Sequence, residues 1–320
     1  MPTLNMTDQM TALEIARRSN QPVPFNIIEL LRQTNEMLID IPACECNNGI
    51  INVGIQRTIK PMGKHRIYNK GVGKAATQTT PIQDRIAMLA EYSIVDAEMI
   101  KHSGNIQAAR MSEASGIIKG MGLTQAETII NGDGSIAEEF DGLMVRRNKI
   151  TEKLVIDAGG TGNELTSIYL VAAGPDLFHF IYPKGSKSVG VDREDRGIVD
   201  VEDEEGNEYP AYKDYFTAQY GITVKAPDAL IRIANIPVKT IKADELIDII
   251  IDASYGLVQG ASTYAMYSNV DILKKIDKAA RDKDNVAYTK EDPWGKPIAH
   301  IRDLRCRRMD VITSKEEAIA

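Results

Sequence analysis

Cysteine and histidine are scarce in this sequence, and long apolar runs are missing. The three cysteines, Cys44, Cys46 and Cys306, have neither the even count of a disulfide framework nor a metal-type spacing with histidine, which points to a reduced cytosolic chain. His65, His102, His179 and His300 stand far apart, and none has a second histidine or cysteine at i+3 or i+4 of the kind helical metal sites use. There is no Gly-x-Ser-x-Gly nucleophile elbow, and no cysteine sits in a known catalytic pattern. No apolar run approaches the roughly 18 residues of a membrane span, so no membrane partner is expected. The polar start MPTLNMTDQM does not read as a signal peptide, and the expectation is a protein made and folded in a cytoplasm. Positive charge is also in deficit: 38 Lys and Arg against 45 Asp and Glu give a net charge of -7, which excludes a chain covered in cations for nucleic-acid binding.

What is present is globular in composition, with 43% hydrophobic and 26% charged residues, and 320 residues suffice for two domains of roughly 150 each. Residues 1 to 24 are polar and end in the Pro22 and Pro24 breaks. Phe25, Ile27, Ile28, Leu30, Leu31 and Leu38 then fall near helical spacing, an arm followed by a helix with one apolar stripe. From Ile50 the period changes to two, Ile51, Val53 and Ile55 alternating with Asn52, Gly54 and Gln56 as in a half-buried strand. Pro61-Met62-Gly63-Lys64 supplies a turn, and the returning limb to Pro81 is nearly devoid of large apolar residues. A hairpin that cannot bury a face within its own subunit is either mobile or finds its core on a neighbour. Within it, Gly71-Val72-Gly73-Lys74 has the look of a phosphate loop. Tyr68 stands where the upstream glycine is needed and Ala75 where a Ser or Thr is needed, so nucleotide binding is not expected.

Residues 86 to 100 read as a strand, and about 105 to 131 as the longest helix, with Ala114, Ile117, Ile118, Met121 and Ile129 on one side and Asn131-Gly132-Asp133-Gly134 as its stop. At 1.5 Å per residue that helix would be about 40 Å long. Further on, 166 to 174 and 229 to 236 read as strands, and 243 to 258 as a helix with Asp244 and Glu245 in its first turn. DAGGTGNELTS, residues 157 to 167, precedes a strand and opens no helix, so it reads as a turn and not a dinucleotide fingerprint. VDVEDEEGNEYPAYKDYF, with its Gly206-Asn207 turn, reads as a solvated hairpin tip, because adjacent carboxylates on a strand diverge. Arg302, Arg305, Arg307 and Arg308, interleaved with Asp303 and Asp310, read as an ion-pairing face.

Several segments match a known family in order along the chain: LLRQTNEMLIDIP (30 to 42), then Arg66, Asn69, Gly71 and Val72 with Thr77, Thr79 and Thr80. MLAEYSIVD (88 to 96), ARMSEASGIIKGMG (109 to 122), FDGLMVRRN (140 to 148) and YGITVKAPDALIRIANI (220 to 236) follow. The sequence resembles the major capsid proteins of tailed bacteriophages with the Hong Kong 97-type fold, in the group of short-tailed phages related to epsilon-fifteen and to the Bordetella phages. The resemblance implies an α+β fold: N-terminal arm and helix (1–50), extended β-hairpin loop (51–83), and a peripheral domain (84–150) with a spine helix at about 105–131. An axial domain (151–280) and C-terminal strands (281–320) returning to the peripheral domain complete it.

The same resemblance implies a subunit that is not an enzyme and has no catalytic residue, cofactor or metal. It would assemble with itself, through hexamers and pentamers, into an icosahedral shell enclosing double-stranded DNA, with the virion as its location and the host cytoplasm as its place of assembly. Portal and scaffolding proteins and a decoration or cement protein are the implied partners, and packaged DNA would be held weakly, in keeping with the negative charge. Arg57, Lys60, Lys64, Arg66, Lys70 and Lys74 would lie at an intersubunit contact made by the loop. Two rival readings stay open on sequence alone. One is an encapsulin-like compartment, and the other an α/β enzyme with a carboxylate site around Asp192, Asp195, Asp200 and Glu202.

Overall fold

The computed structural model describes residues 35–59, 62–74, 76–102, 105–150, 152–186, 189–203, 205–279, 288–291 and 298–319. The expected arm and most of its helix lie outside these residues. Within them the chain begins with α1 (Met37–Asp40) and β1 (Ala43–Glu45), followed by an antiparallel ribbon of β2 (Ile51–Ile59) and β3 (Gln78–Arg85). Next come β4 (Ala87–Asp96), α2 (Ala97–His102), α3 (Ile106–Asn131), α4 (Leu143–Arg146), β5 (Val155–Asp157), β6 (Leu165–Ala173) and β7 (Phe178–Tyr182). A second long ribbon is made by β8 (Val191–Glu202) and β9 (Glu208–Val224). The chain closes with β10 (Leu230–Pro237), α5 (Ala243–Tyr255), β11 (Thr263–Ser268), α6 (Val270–Ala279), β12 (Tyr288–Glu291), β13 (Ile298–Ile301) and β14 (Leu304–Arg308).

The apolar run IYLVAA that ends LTSIYLVAA places it at the centre: all nine residues of β6 are buried, as expected for a strand covered on both faces, and the hydroxyls of Thr166 and Ser167 are hydrogen-bonded to Thr313 and Glu316. β10 and β11 flank it, both antiparallel, β5 adds to β10, and β14 adds parallel to β11. α5 turns Leu246, Ile247, Ile250 and Ala253 inward, and α6 turns Ile272, Ile276 and Ala279 inward, each at helical spacing. Burial of a Leu or Ile side chain is worth roughly 1.5–3 kcal/mol, so this layer carries much of the folding free energy.

β9 links this core to a second layer. Its last residues, Gly221–Val224, pair with β7, while its earlier length lies between β4 and β8. α3 covers one face of that second sheet, burying Ala114, Ile118, Met121 and Ile129. The Asn105 side chain accepts from the Ala108 amide at 3.0 Å and caps the helix start. At its end Gly132 is required: a Cβ there would collide with the carbonyl oxygens of Thr128 and Phe140. Gly116 and Gly120, by contrast, face open space.

The C-terminal strands depart from expectation. β13 and β14 extend the central sheet beside β11 and do not return to the 84–150 layer, because Ile301, Leu304 and Cys306 form an apolar face that the central core covers. Residues beyond β14 run back along β6, where Glu316 exchanges backbone hydrogen bonds with Leu165 and its carboxylate meets the buried Arg232 at 2.9 Å.

Candidate functional site

Between residues 46 and 83 the sequence has six Lys and Arg and no Asp or Glu. This acid-free segment is the β2–β3 ribbon and its connection. Pairing runs from Ile51–Arg85 to Ile59–Gln78, with a register shift between Arg57 and Ile59. Lys64, Arg66, Lys70 and Lys74 are exposed, Arg57 lies on β2, and Lys60 falls outside the described residues. Apolar side chains are exposed here as well: Ile55 at 72%, Met62 at 87%, Ile67 at 70% and Tyr68 at 94%. Gly71 to Lys74 are exposed loop residues, and the chain continues from them into β3 and not into a helix, so the phosphate-loop geometry is absent.

The ribbon exposes Ile55 and the residues that connect its strands, and is firmly held at its root. Asp84, 5% exposed, accepts a hydrogen bond from Arg146 Nη2 at 2.7 Å and another from the Thr223 hydroxyl. Asn52 Nδ2 donates to Thr223 Oγ1 at 3.1 Å, and Arg85 donates to the carbonyls of Gly134 and Ile136. Gly221 admits the Arg85 backbone, since a Cβ there would lie 2.7 Å from the Arg85 carbonyl oxygen. His179, opposite Thr223 in the sheet, is buried; that burial, reinforced by Lys225 and only partly opposed by Asp84 and Asp176, lowers its pKa to about 4 and keeps it neutral. Sequence reading missed this root. Asn52, Asp84, Arg146 and Thr223 are scattered over the chain, and the one local signal was Asp84 as the acid that ends the acid-free run.

The β8–β9 ribbon treats its charges differently. Asp195 and Asp214 stand opposite each other, a destabilising like-charge pair unless neutralised. Arg110 of α3 reaches both, at 2.6 Å and 2.7 Å, and Arg193 contacts Asp214 at 3.0 Å. Although burial works against its charge, Arg110 is held protonated by these carboxylates, and its hydrogen bond draws the Asp195 pKa down. Beyond this cluster the tip bears only acids. Asp192, Asp195, Asp200 and Glu202 are all exposed and spread along β8, so they do not form the buried pocket that a carboxylate enzyme would need. Among the described residues no group of three His, Cys, Asp or Glu side chains is placed to hold a metal ion.

The arginines near the C-terminus form ion pairs, but mostly not with their sequence neighbours. Arg307 binds Asp40 of α1 through two hydrogen bonds at 2.6 and 2.7 Å, Arg305 reaches the same carboxylate at 3.4 Å, and only Arg308 pairs locally, with Asp310. Arg302 lies 3.9 Å over the Tyr255 ring and donates to Ser254. Long-range pairing of this kind has no signature in local sequence.

Comparison with known proteins agrees with this architecture. The family model for major capsid protein GP7 matches residues 20–320. The cryo-EM structure of bacteriophage epsilon15 is similar over 99% of this chain and 99% of its own, with 27% identity and a TM-score of 0.71. The capsid of bacteriophage JBD30 shares the fold, at 9% identity, 87% and 90% coverage and a TM-score of 0.53. An encapsulin from Synechococcus elongatus is a more distant structural relative, at 11% identity, 71% and 96% coverage and a TM-score of 0.46. A comparison with curated proteins gives no match. Fold and matches together define a structural, shell-forming protein with the α+β Hong Kong 97-type capsid fold. The chain belongs to the major capsid protein GP7 family, the capsid proteins of tailed phages, and its place is the virion.

Proposed function

We propose that this subunit builds an icosahedral shell around double-stranded DNA from hexamers and pentamers, and that the β2–β3 loop is a principal intersubunit contact. One observation carries the reading: the ribbon is anchored by a buried polar root, yet beyond it exposes Ile55, Met62, Ile67 and Tyr68 within a run of cations that contains no acid. Among the described residues β2 and β3 have no third strand, and an exposed two-stranded ribbon without a core is marginal in water. Arg57, Lys60, Lys64, Arg66, Lys70 and Lys74 then face acidic surface on a neighbour.

In this reading residues 1–50 are the arm and its helix, 51–83 the extended loop, 84–150 the peripheral domain with α3 as its spine, and 151–280 the axial domain. The subunit has no catalytic role, assembles in the host cytoplasm with portal and scaffolding proteins, and touches packaged DNA weakly. Negative-stain microscopy of the purified full-length chain, with the nucleic-acid content of any particles measured by absorbance, tests it. Closed shells that package DNA support it; a folded monomer under all assembly conditions, or shells holding only protein cargo, overturns it.

A further inference from the structure

We infer that the tip of the β8–β9 ribbon is the surface on a second copy of this chain that receives the extended loop. The inference rests on the reading of that loop as an intersubunit element and supplies its missing partner. Between Gly197 and Tyr212 there are six acids and no Lys or Arg, mirroring the six cations and no acids between residues 46 and 83. Glu202 and Glu208 stand directly opposite each other across the ribbon, an arrangement that destabilises a free hairpin. The other acid pair on the same two strands, Asp195 and Asp214, is neutralised by Arg110 and Arg193. The tip is given no such relief: among the described residues no salt bridge reaches Asp200, Glu202, Glu205 or Glu208, and all four are exposed. Ile198, 56% exposed, sits on the same ribbon as an apolar landing point for Met62, Ile67 or Tyr68 of the loop.

Reach and symmetry agree. At about 3.4 Å per residue, the nine residues of β2 carry the loop roughly 30 Å from its root, far enough to cross a subunit boundary. Loop and tip are different patches on one chain, and no ion pair joins them within the subunit among the described residues. A contact between them is therefore head-to-tail, the type that closes rings and shells.

The test is a charge swap in the full-length chain, read as particle yield by sedimentation and microscopy. Lys70→Glu with Lys74→Glu, and separately Glu202→Lys with Glu208→Lys, are each expected to lower yield about ten-fold near 0.1 M salt, and the combined variant to recover to within about two-fold of wild type. Asp203 is left intact because its carboxylate accepts from the Glu205 and Asn207 amides and closes the turn. A tip reversal that leaves yield unchanged, or a combined variant no better than the loop reversal alone, overturns this inference while the loop reading stands. A loop reversal that assembles normally overturns the loop reading itself. Should the tip variant melt early, carbodiimide coupling of wild-type shells gives a second readout: intermolecular links from Lys64, Lys70 or Lys74 to the tip acids support the inference, and links confined to other acids refute it.

Discussion

The two long ribbons of this protein face the same problem and solve it in opposite ways. A two-stranded antiparallel ribbon has edges and faces that must be covered by something. β8–β9 is covered within the subunit: β4 adds a third strand, α3 lies across one face, and Asp214, 1% exposed, is enclosed by two arginines. β2–β3 is buried at its root, around Asp84, Arg146 and Thr223, and farther out exposes Ile55, Thr79 and Pro81 among the described residues. The difference separates what folding of one chain satisfies from what is left for assembly. Buried charges in the first ribbon are matched inside the molecule. At the far ends of both ribbons, among the described residues, exposed charge of one sign has no ion pair.

The largest expected effect tests the covered ribbon. Asp214→Ala leaves Arg193 without its carboxylate and Arg110 with only the exposed Asp195, and should cost about 3–4 kcal/mol in chemical denaturation, the lower part of the range for breaking a buried pair. Replacing Arg110, Arg193 and Asp214 by apolar residues of similar volume, with Asp195→Asn so that no acid is left unpaired, should recover most of it. At the root of the extended ribbon, Asp84→Ala removes the acceptor for Arg146 and Thr223 and should cost about 2–3 kcal/mol. Its signature is local: amide exchange should rise across β2 and β3 while β6 stays protected. If both ribbons exchange together in that variant, the contrast between them is wrong.

A pH titration sharpens the same comparison. An unfolded histidine takes up its proton near pH 6.5, whereas His179 stays neutral down to about 4. Between those values the unfolded state binds more protons, so stability should fall as pH drops through the window, by about 2 kcal/mol after allowance for solvent screening. Above about 6.5 this group contributes no slope. Melting temperatures of wild type and His179→Gln across pH 4 to 7 check it; the variant should show a flatter profile. The smallest effect belongs to the uncovered tip. Glu202→Gln with Glu205→Gln should change subunit stability by no more than about 0.5 kcal/mol, as for ordinary surface sites. A large loss would place those carboxylates inside the subunit's own network.

Much of the architecture was legible from periodicity. The apolar run of β6, the alternation of β2 and the one-sided pattern of α3 each reflect burial that repeats within a single element. The turn at Gly206 and Asn207 and the helix stop at Gly132 were legible because glycine answers a local backbone demand. The placement of β14 was not legible: its alternation says that one face is buried but not against which layer. Asp303 and Asp310 beside the C-terminal arginines pointed to local pairing, whereas Asp40, over 260 residues away in sequence, holds Arg307.

By itself, then, the sequence determined the elements, the family resemblance and the two runs of single-sign charge, since these depend on residue type and near neighbours. Only the tertiary structure decided which charges are spare. Arg110 and Arg193 look like any other cations in the string, and Asp214 like any other acid, until the fold brings both arginines to within about 3 Å of the Asp214 carboxylate and buries that carboxylate. Coulomb interaction and desolvation act through space, so the distinction between an internal ion pair and a surface left for a neighbour arises only once the chain is packed.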